Sequence, residues 1–168
     1  MIKKLIISLA AIIILVVTFL FWPVGKIMNP VLATAPNNFH PQSFGLPWGD
    51  HRHQGVDIFA PMNTPIQSVS WGLVYKVKKE DGKSRGGNMV KILGPGGRRY
   101  LYAHMSKILV KPYSFVCEGD TIGLVGKTGN ANRPDCPPHL HFGISTIIRH
   151  DPIKDMGHHW LDPAKEIQ

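Results

Sequence analysis

Nine histidines stand in the 168 residues, at positions 40, 51, 53, 104, 139, 141, 150, 158 and 159. Three short segments among them hold the residue types that metal-assisted chemistry needs. His139-Leu140-His141 is the clearest. On a strand, side chains alternate, so both imidazoles project from one face while Leu140 and Phe142 face the other. In His53-Gln54-Gly55-Val56-Asp57 the four-residue spacing keeps His53 and Asp57 on one side of an extended chain. Gly55 between them offers no obstruction, and Val56, Ile58 and Ala60 form an apolar opposite side. Neutral imidazole with carboxylate is a donor set that suits zinc. The third segment, Tyr100-Leu101-Tyr102-Ala103-His104, ends in a histidine that alternation groups with Tyr100 and Tyr102, opposite Leu101, Ala103 and Met105. Taken singly, each segment also fits surface or core histidines, and spacing does not say which member of His139-x-His141 would touch a metal.

The elements that must position these groups read as strands. Seventeen Gly and fourteen Pro cut the chain into short segments, which favours strands and turns over long helices. β-favouring residues fill 65–77, 88–93, 99–105, 121–125 and 139–145, with a loop at 82–87 and a turn at Gly94-Pro95-Gly96-Gly97. No segment after residue 25 has the periodicity of an amphipathic helix. The expected architecture is all-β, a compact antiparallel β-sheet domain.

The N-terminus has a different character. Lys3 and Lys4 precede an uncharged run over 5–22, about 27 Å as a helix at ~1.5 Å per residue. The run is longer than a signal-peptide core, although Ala33-Thr34-Ala35 resembles a cleavage site. It predicts one transmembrane helix within residues 1–25, a tether over 26–43, and a globular domain with its tail over 44–168. The flanking lysines predict a single-pass protein of the inner (cytoplasmic) membrane, with its domain facing the periplasm or cell exterior. Lys3, Lys4 and Lys26 supply three of the net +8, and residues 1–30 hold no acid, so +5 remains on residues 31–168. Scattered basic residues outside the cytoplasm argue against nucleic acid as a partner. Cys117 and Cys136 are the only cysteines. An oxidising compartment permits a bridge between them, but sequence alone does not bring their Cα atoms within reach.

Taken in order, these blocks resemble the lysostaphin/LytM family of zinc peptidoglycan endopeptidases. The similarity extends from Arg52-His53-Gln54-Gly55-Val56-Asp57-Ile58 through Ala60-Pro61, Thr64-Pro65-Ile66, Gly94-Pro95-Gly96-Gly97 and Tyr102-Ala103-His104. It continues through Gly119-Asp120, Ile122-Gly123 and Gly126-Lys127-Thr128-Gly129 to Pro138-His139-Leu140-His141-Phe142. The resemblance implies that His53, Asp57 and His141 bind zinc and that His104 and His139 are the catalytic, non-ligating pair. It implies hydrolysis of peptide bonds in peptidoglycan stems or cross-links. The alternative is a non-catalytic regulator or binder of wall hydrolases, a role taken by family members that have lost metal ligands; no particular protein partner is indicated. The loop over 130–138 is longer than the family's usual link and is expected to reshape a substrate wall. His158-His159-Trp160 reads as a surface pair rather than a second metal site.

Overall fold

The computed structural model describes residues 2–32, 43–49, 51–147 and 159–168. An N-terminal helix, α1 (Ile2–Leu20), precedes twelve short strands. These are β1 (Pro47–Trp48), β2 (His51–Arg52), β3 (Val56–Phe59), β4 (Pro65–Gln67), β5 (Gly72–Lys78) and β6 (Met89–Leu93), then β7 (Arg98–Ala103), β8 (Lys107–Ile108), β9 (Phe115–Val116), β10 (Thr121–Leu124), β11 (His139–Thr146) and β12 (Trp160–Leu161). A final helical turn, α2 (Pro163–Glu166), follows.

The main sheet runs in the order β12-β11-β7-β6-β5-β9, with β3 also pairing to β11, and its ladders are antiparallel. A three-stranded sheet, β4-β10-β8, accompanies it. The longest strand, β11, organises the domain. One edge pairs with β7 along 141–146, while the other pairs first with β3 and then with β12. One face of this sheet is apolar because alternation puts Val56, Ile58, Val90, Ile92, Tyr100, Tyr102, Leu140, Phe142 and Ile144 on the same side. All nine are buried, and they form one core with Ile66, Ile122 and Val125 from the region of the smaller sheet. Tyr102 carries a hydroxyl into that core and satisfies it by accepting the Val69 N–H at 3.0 Å. The opposite face of β11 carries His139 and His141.

Several expectations need correction. No helix of the described residues is long and apolar enough to cross a membrane. The uncharged run over 5–22 is not helical throughout: α1 ends at Leu20, and its first turn carries Lys3 and Lys4. What remains is about 16 helical residues, about 24 Å against a hydrocarbon core of about 30 Å. The expected transmembrane helix, and with it single-pass anchoring in the membrane, is therefore not supported. The end of α1 instead touches the domain, where Phe19 meets Trp71 edge to face at 5.6 Å. Part of the segment read as a tether also docks. Ile27 and Val31 are buried, and Ile27 exchanges backbone hydrogen bonds with Glu166 and Gln168. The remainder, over 33–42, lies outside the described residues, as do His40, His150 and His158.

The stretch 65–77 breaks into β4 and β5 because the hydroxyls of Ser68 and Ser70 bond to nearby carbonyls between them. α2 is a helix where none was expected, though Asp162-Pro163 is a readable start: Asp162 Oδ1 accepts the Ala164 N–H, and proline occupies the first turn. Cys117 and Cys136 are both free, so the permitted bridge is not formed.

Candidate metal centre and active site

Register delivers two of the groups directly. On β11, His141 stands opposite Asp57 of β3 on one side and Ala103 of β7 on the other. His139 and His141 share the polar face, as alternation predicts, with Leu140 and Phe142 fully buried behind them. His53 arrives by another route. The expected single strand from His53 to Asp57 does not exist, because β3 begins only at Val56. His53 lies in the link from β2, held by its N–H to Leu46 O and by its carbonyl accepting the Gly45 N–H, both at 2.9 Å. Trp48 of the β1–β2 hairpin stacks on its ring at 5.6 Å.

Three candidate donor atoms meet in a small triangle. His141 Nδ1 is 3.0 Å from Asp57 Oδ1, His53 Nε2 is 3.3 Å from the same oxygen, and the two nitrogens are 3.0 Å apart. Among the described residues, this is the group of His, Cys, Asp and Glu whose atoms converge closely enough to hold a metal ion. A tetrahedral zinc with bonds of about 2.0–2.1 Å has ligand–ligand edges of about 3.3–3.4 Å. The triangle comes within a few tenths of that size without rearranging any strand, so the residues present fit the ion. The remaining nitrogen of His53 is also prepared: Nδ1 lies 3.0 Å from the Ser43 carbonyl, which can only accept, so Nδ1 carries the proton and Nε2 offers its lone pair to the triangle.

Electrostatics within the cluster follow from burial and proximity. Burial alone would raise Asp57, but hydrogen bonds and charge from His141 and His53 outweigh it and hold the carboxyl far below its ordinary range. His53 is raised, because Asp57 overcomes the penalty of burial. His141 is lowered by burial despite the same carboxylate. The centre thus keeps an ionised Asp57.

His104 and His139 complete the group without joining the triangle. His139 Nε2 lies 3.9 Å from Asp57 Oδ1, and the rings of His104 and His139 meet at 4.9 Å between centroids. Each ring is oriented by a backbone carbonyl: His104 Nδ1–H donates to Thr128 O at 2.8 Å, and His139 Nδ1–H to Pro137 O at 2.9 Å. In the neutral form of each ring, this tautomer leaves the lone pair on Nε2. Burial, followed by the charges of His141 and His139, pushes His104 down to about 4.

His104 does not follow the alternation of β7. Tyr100 and Tyr102 point into the core, and strand geometry would have sent His104 after them. Instead β7 ends at Ala103, and His104 adopts a φ of 64°. That left-handed residue, uncommon outside glycine, turns the imidazole onto the polar face. Residues missed in the sequence include Thr128, Ser43 and Trp48, which orient or cover the histidines. Thr128 lies in the Gly126–Gly129 block quoted above, but it acts on His104 through its backbone carbonyl, which side-chain identity does not reveal.

A cleft of about 790 Å³ opens over the centre. One wall is the 130–138 loop, where Asn130, Asn132, Arg133 and Cys136 line the cavity. Gly55 is buried behind the His141 ring. A Cβ there would stand 2.5 Å from Phe142 O and 2.9 Å from His141 Cε1 and Nε2. Gly55→Ala is expected to lower stability by about 1–3 kcal/mol through overpacking and to weaken zinc binding by about 10–100-fold, because it pushes a ligand ring. Thermal unfolding of the metal-free domain and competition with a colorimetric chelator measure the two effects separately.

An antiparallel β domain carrying two histidines, one aspartate and two further histidines around a cleft defines the class: a metallopeptidase domain. The model of peptidase family M23 matches residues 51–154, and the chain belongs to that family of zinc metallopeptidases. Among curated proteins it is 36% identical over 106 residues to peptidoglycan DD-endopeptidase ShyA of Vibrio cholerae serotype O1, covering 62% of this chain and 22% of that one. It is 36% identical over 107 residues to lysostaphin of Staphylococcus simulans, covering 62% and 20%. The chain thus spans about a fifth of the curated relatives it matches. Among solved structures, the catalytic domain of the antimicrobial peptidase lysostaphin from Staphylococcus simulans superposes with a TM-score of 0.56 at 31% identity, over 64% of this chain and 79% of that one. A zinc-containing peptidase from Vibrio cholerae superposes with a TM-score of 0.53 at 30% identity, over 71% and 35%.

Proposed function

We propose that this chain is an extracytoplasmic endopeptidase that hydrolyses peptide bonds in peptidoglycan stems or cross-links, with His53, Asp57 and His141 as its zinc ligands. The observation that carries this reading is the convergence of the three donor atoms beside two further imidazoles that are held but not consumed. Relatives named as a peptidoglycan DD-endopeptidase and as lysostaphin support the substrate class.

Zinc, when bound, supplies the Lewis acidity that activates a water molecule and polarises the scissile carbonyl. The chain's own residues do the rest. His53, fixed through Ser43, and His141, fixed between β3 and β7, would hold the ion beside the cleft. Asp57 contributes the negative charge that offsets the cation. His104, neutral and with its Nε2 lone pair exposed, accepts the proton of the attacking water. His139 lies across the same opening, with Nδ1 tied to Pro137 O, and takes part in the same proton relay. When one imidazole holds the transferred proton, it can donate to the developing oxyanion and then to the leaving amine. No carboxylate base is required.

The competing reading is a non-catalytic regulator that binds wall material or hydrolases. The presence of all five groups in one cluster favours the enzyme. Incubation of the zinc-loaded chain with purified sacculi tests it: soluble muropeptides are expected, release should stop with a chelator, and it should return on adding zinc. Tight sacculus binding with no released peptide would refute the hydrolase and favour the regulator. Mass analysis of the products identifies the bond.

A further inference from the structure

Beyond the cleft, the same polar face of the main sheet holds a second, smaller cavity. It measures about 110 Å³ and is lined by Tyr75, Lys91, Arg99, Leu101 and Trp160 among others. Leu101 also lines the large cleft, so the two cavities adjoin along β7. Register gives the separation. Ala103 stands opposite His141 and Arg99 opposite Ser145. Four residues of strand, about 13 Å at ~3.4 Å per residue, therefore divide Arg99 from the metal centre.

The chemistry of this cavity is cationic. A bulge in β5 between Val74 and Lys76 sets Lys76 directly opposite Lys91. Like charges facing each other across a ladder are destabilising. Lys91 is pushed down by burial and then by the charges of Lys76 and Arg99, while Arg99 also acts on the Tyr75 phenol. No acid among the described residues pairs with Lys76, Lys91 or Arg99; the acids beside lysine or arginine serve Lys78, Arg98, Arg133 and Lys165. Arg99 Nη2 donates to Thr146 O at 3.0 Å, which pins the guanidinium, but its Nε is buried without a hydrogen-bond partner. Two cations with no acidic partner among the described residues, around a small cavity with an indole as one wall, are complementary to a carboxylate on a peptide.

We propose that Lys91, Arg99 and Tyr75 form a subsite for a carboxylate of the peptidoglycan stem, about four residues along the strand direction from the scissile bond. The assignment rests on the hydrolase reading for the identity of the ligand. The cationic lining of the cavity is independent of it. An extended peptide advances by the same ~3.4 Å per residue as a strand, so a carboxylate about four residues from the scissile bond would reach this distance. The subsite would thereby select substrate and fix its register without touching the reacting atoms.

The test uses the zinc-loaded full chain, labelled with ¹⁵N, and two synthetic stem peptides that differ only in bearing free carboxylates or carboxamides. The carboxylate peptide is expected to shift the Trp160 indole resonance and to bind at least about tenfold more tightly than the carboxamide, the scale of one charge-assisted hydrogen bond. Lys91→Gln and Arg99→Gln should each remove most of that preference and raise KM about tenfold with kcat unchanged. Lys91→Gln leaves the Arg99–Thr146 contact intact, and its thermal unfolding beside the parent chain checks that the fold is kept. Equal affinity for the two peptides, an unaltered preference in Lys91→Gln, or inorganic phosphate binding as tightly as the peptide would each overturn the proposal. Because the binding arm needs no turnover, a Trp160 response without any cleavage would uphold the subsite and sink the hydrolase instead.

Discussion

Asp57→Ala is expected to yield a folded domain that no longer retains zinc through gel filtration and releases no muropeptides. Asp57 Oδ1 contacts both of the other donor atoms, at 3.0 and 3.3 Å, so removing it deletes the vertex that the triangle shares. It also removes the negative charge that offsets the ion, leaving two imidazoles that repel each other when protonated. Four-ligand structural zinc sites bind with about 10–16 kcal/mol, so one ligand's share is on the order of 3 kcal/mol, which is more than a hundredfold in affinity. Asp57 lies on β3 with its backbone in the β11 ladder, and its neighbours Val56 and Ile58 hold the core. The fold should therefore survive. Zinc content by atomic emission, set beside the near-UV circular dichroism of the same sample, reads both parts. Full zinc occupancy in Asp57→Ala would remove this residue from the ligand set.

The second large effect separates binding from chemistry. His104→Asn is expected to keep one zinc per chain and to lose about 10²–10⁴ in kcat, the usual worth of a positioned general base. His104 touches no donor atom of the triangle by hydrogen bond; its ring meets that of His141 only at 5.9 Å between centroids. Asparagine is chosen because φ is 64° at this position, and it tolerates the left-handed region better than alanine does. Loss of zinc together with activity would make His104 a structural support of the centre, whereas unchanged kcat would hand the proton to His139. Thr128→Val, which keeps the carbonyl that His104 uses, should by contrast leave kcat nearly intact.

Much of this was legible in the chain because strand alternation is a strict period. His139 and His141 on one face, with Leu140 and Phe142 on the other, needed only the assumption of a strand, and β11 supplies it. The same rule failed wherever the backbone left the strand. His53 sits in a link, and His104 sits one residue beyond the end of β7 with a positive φ. There the ordered blocks shared with the family, and not periodicity, carried the expectation. Hydropathy misled at the N-terminus because it counts apolar residues without seeing where a helix stops; α1 ends at Leu20, short of Trp22 and Pro23. Residues that act through their backbone, such as Ser43, Thr128 and Pro137, leave little mark in a sequence, because any residue offers a carbonyl. The cationic cavity was invisible for a different reason: Lys91 and Arg99 are neighbours only across the β6–β7 ladder, and a bulge in β5 sets Lys76 opposite Lys91.

The whole account depends on one ion held by nitrogen and oxygen from His53, Asp57 and His141. X-ray absorption at the zinc edge of the loaded chain tests this most directly. The prediction is one equivalent of zinc in a four-coordinate shell of nitrogen and oxygen at about 2.0–2.1 Å, with the outer-shell scattering of two imidazoles. A sulfur shell at about 2.3 Å, which would implicate Cys136 at the cleft wall, or an imidazole count other than two, would contradict it.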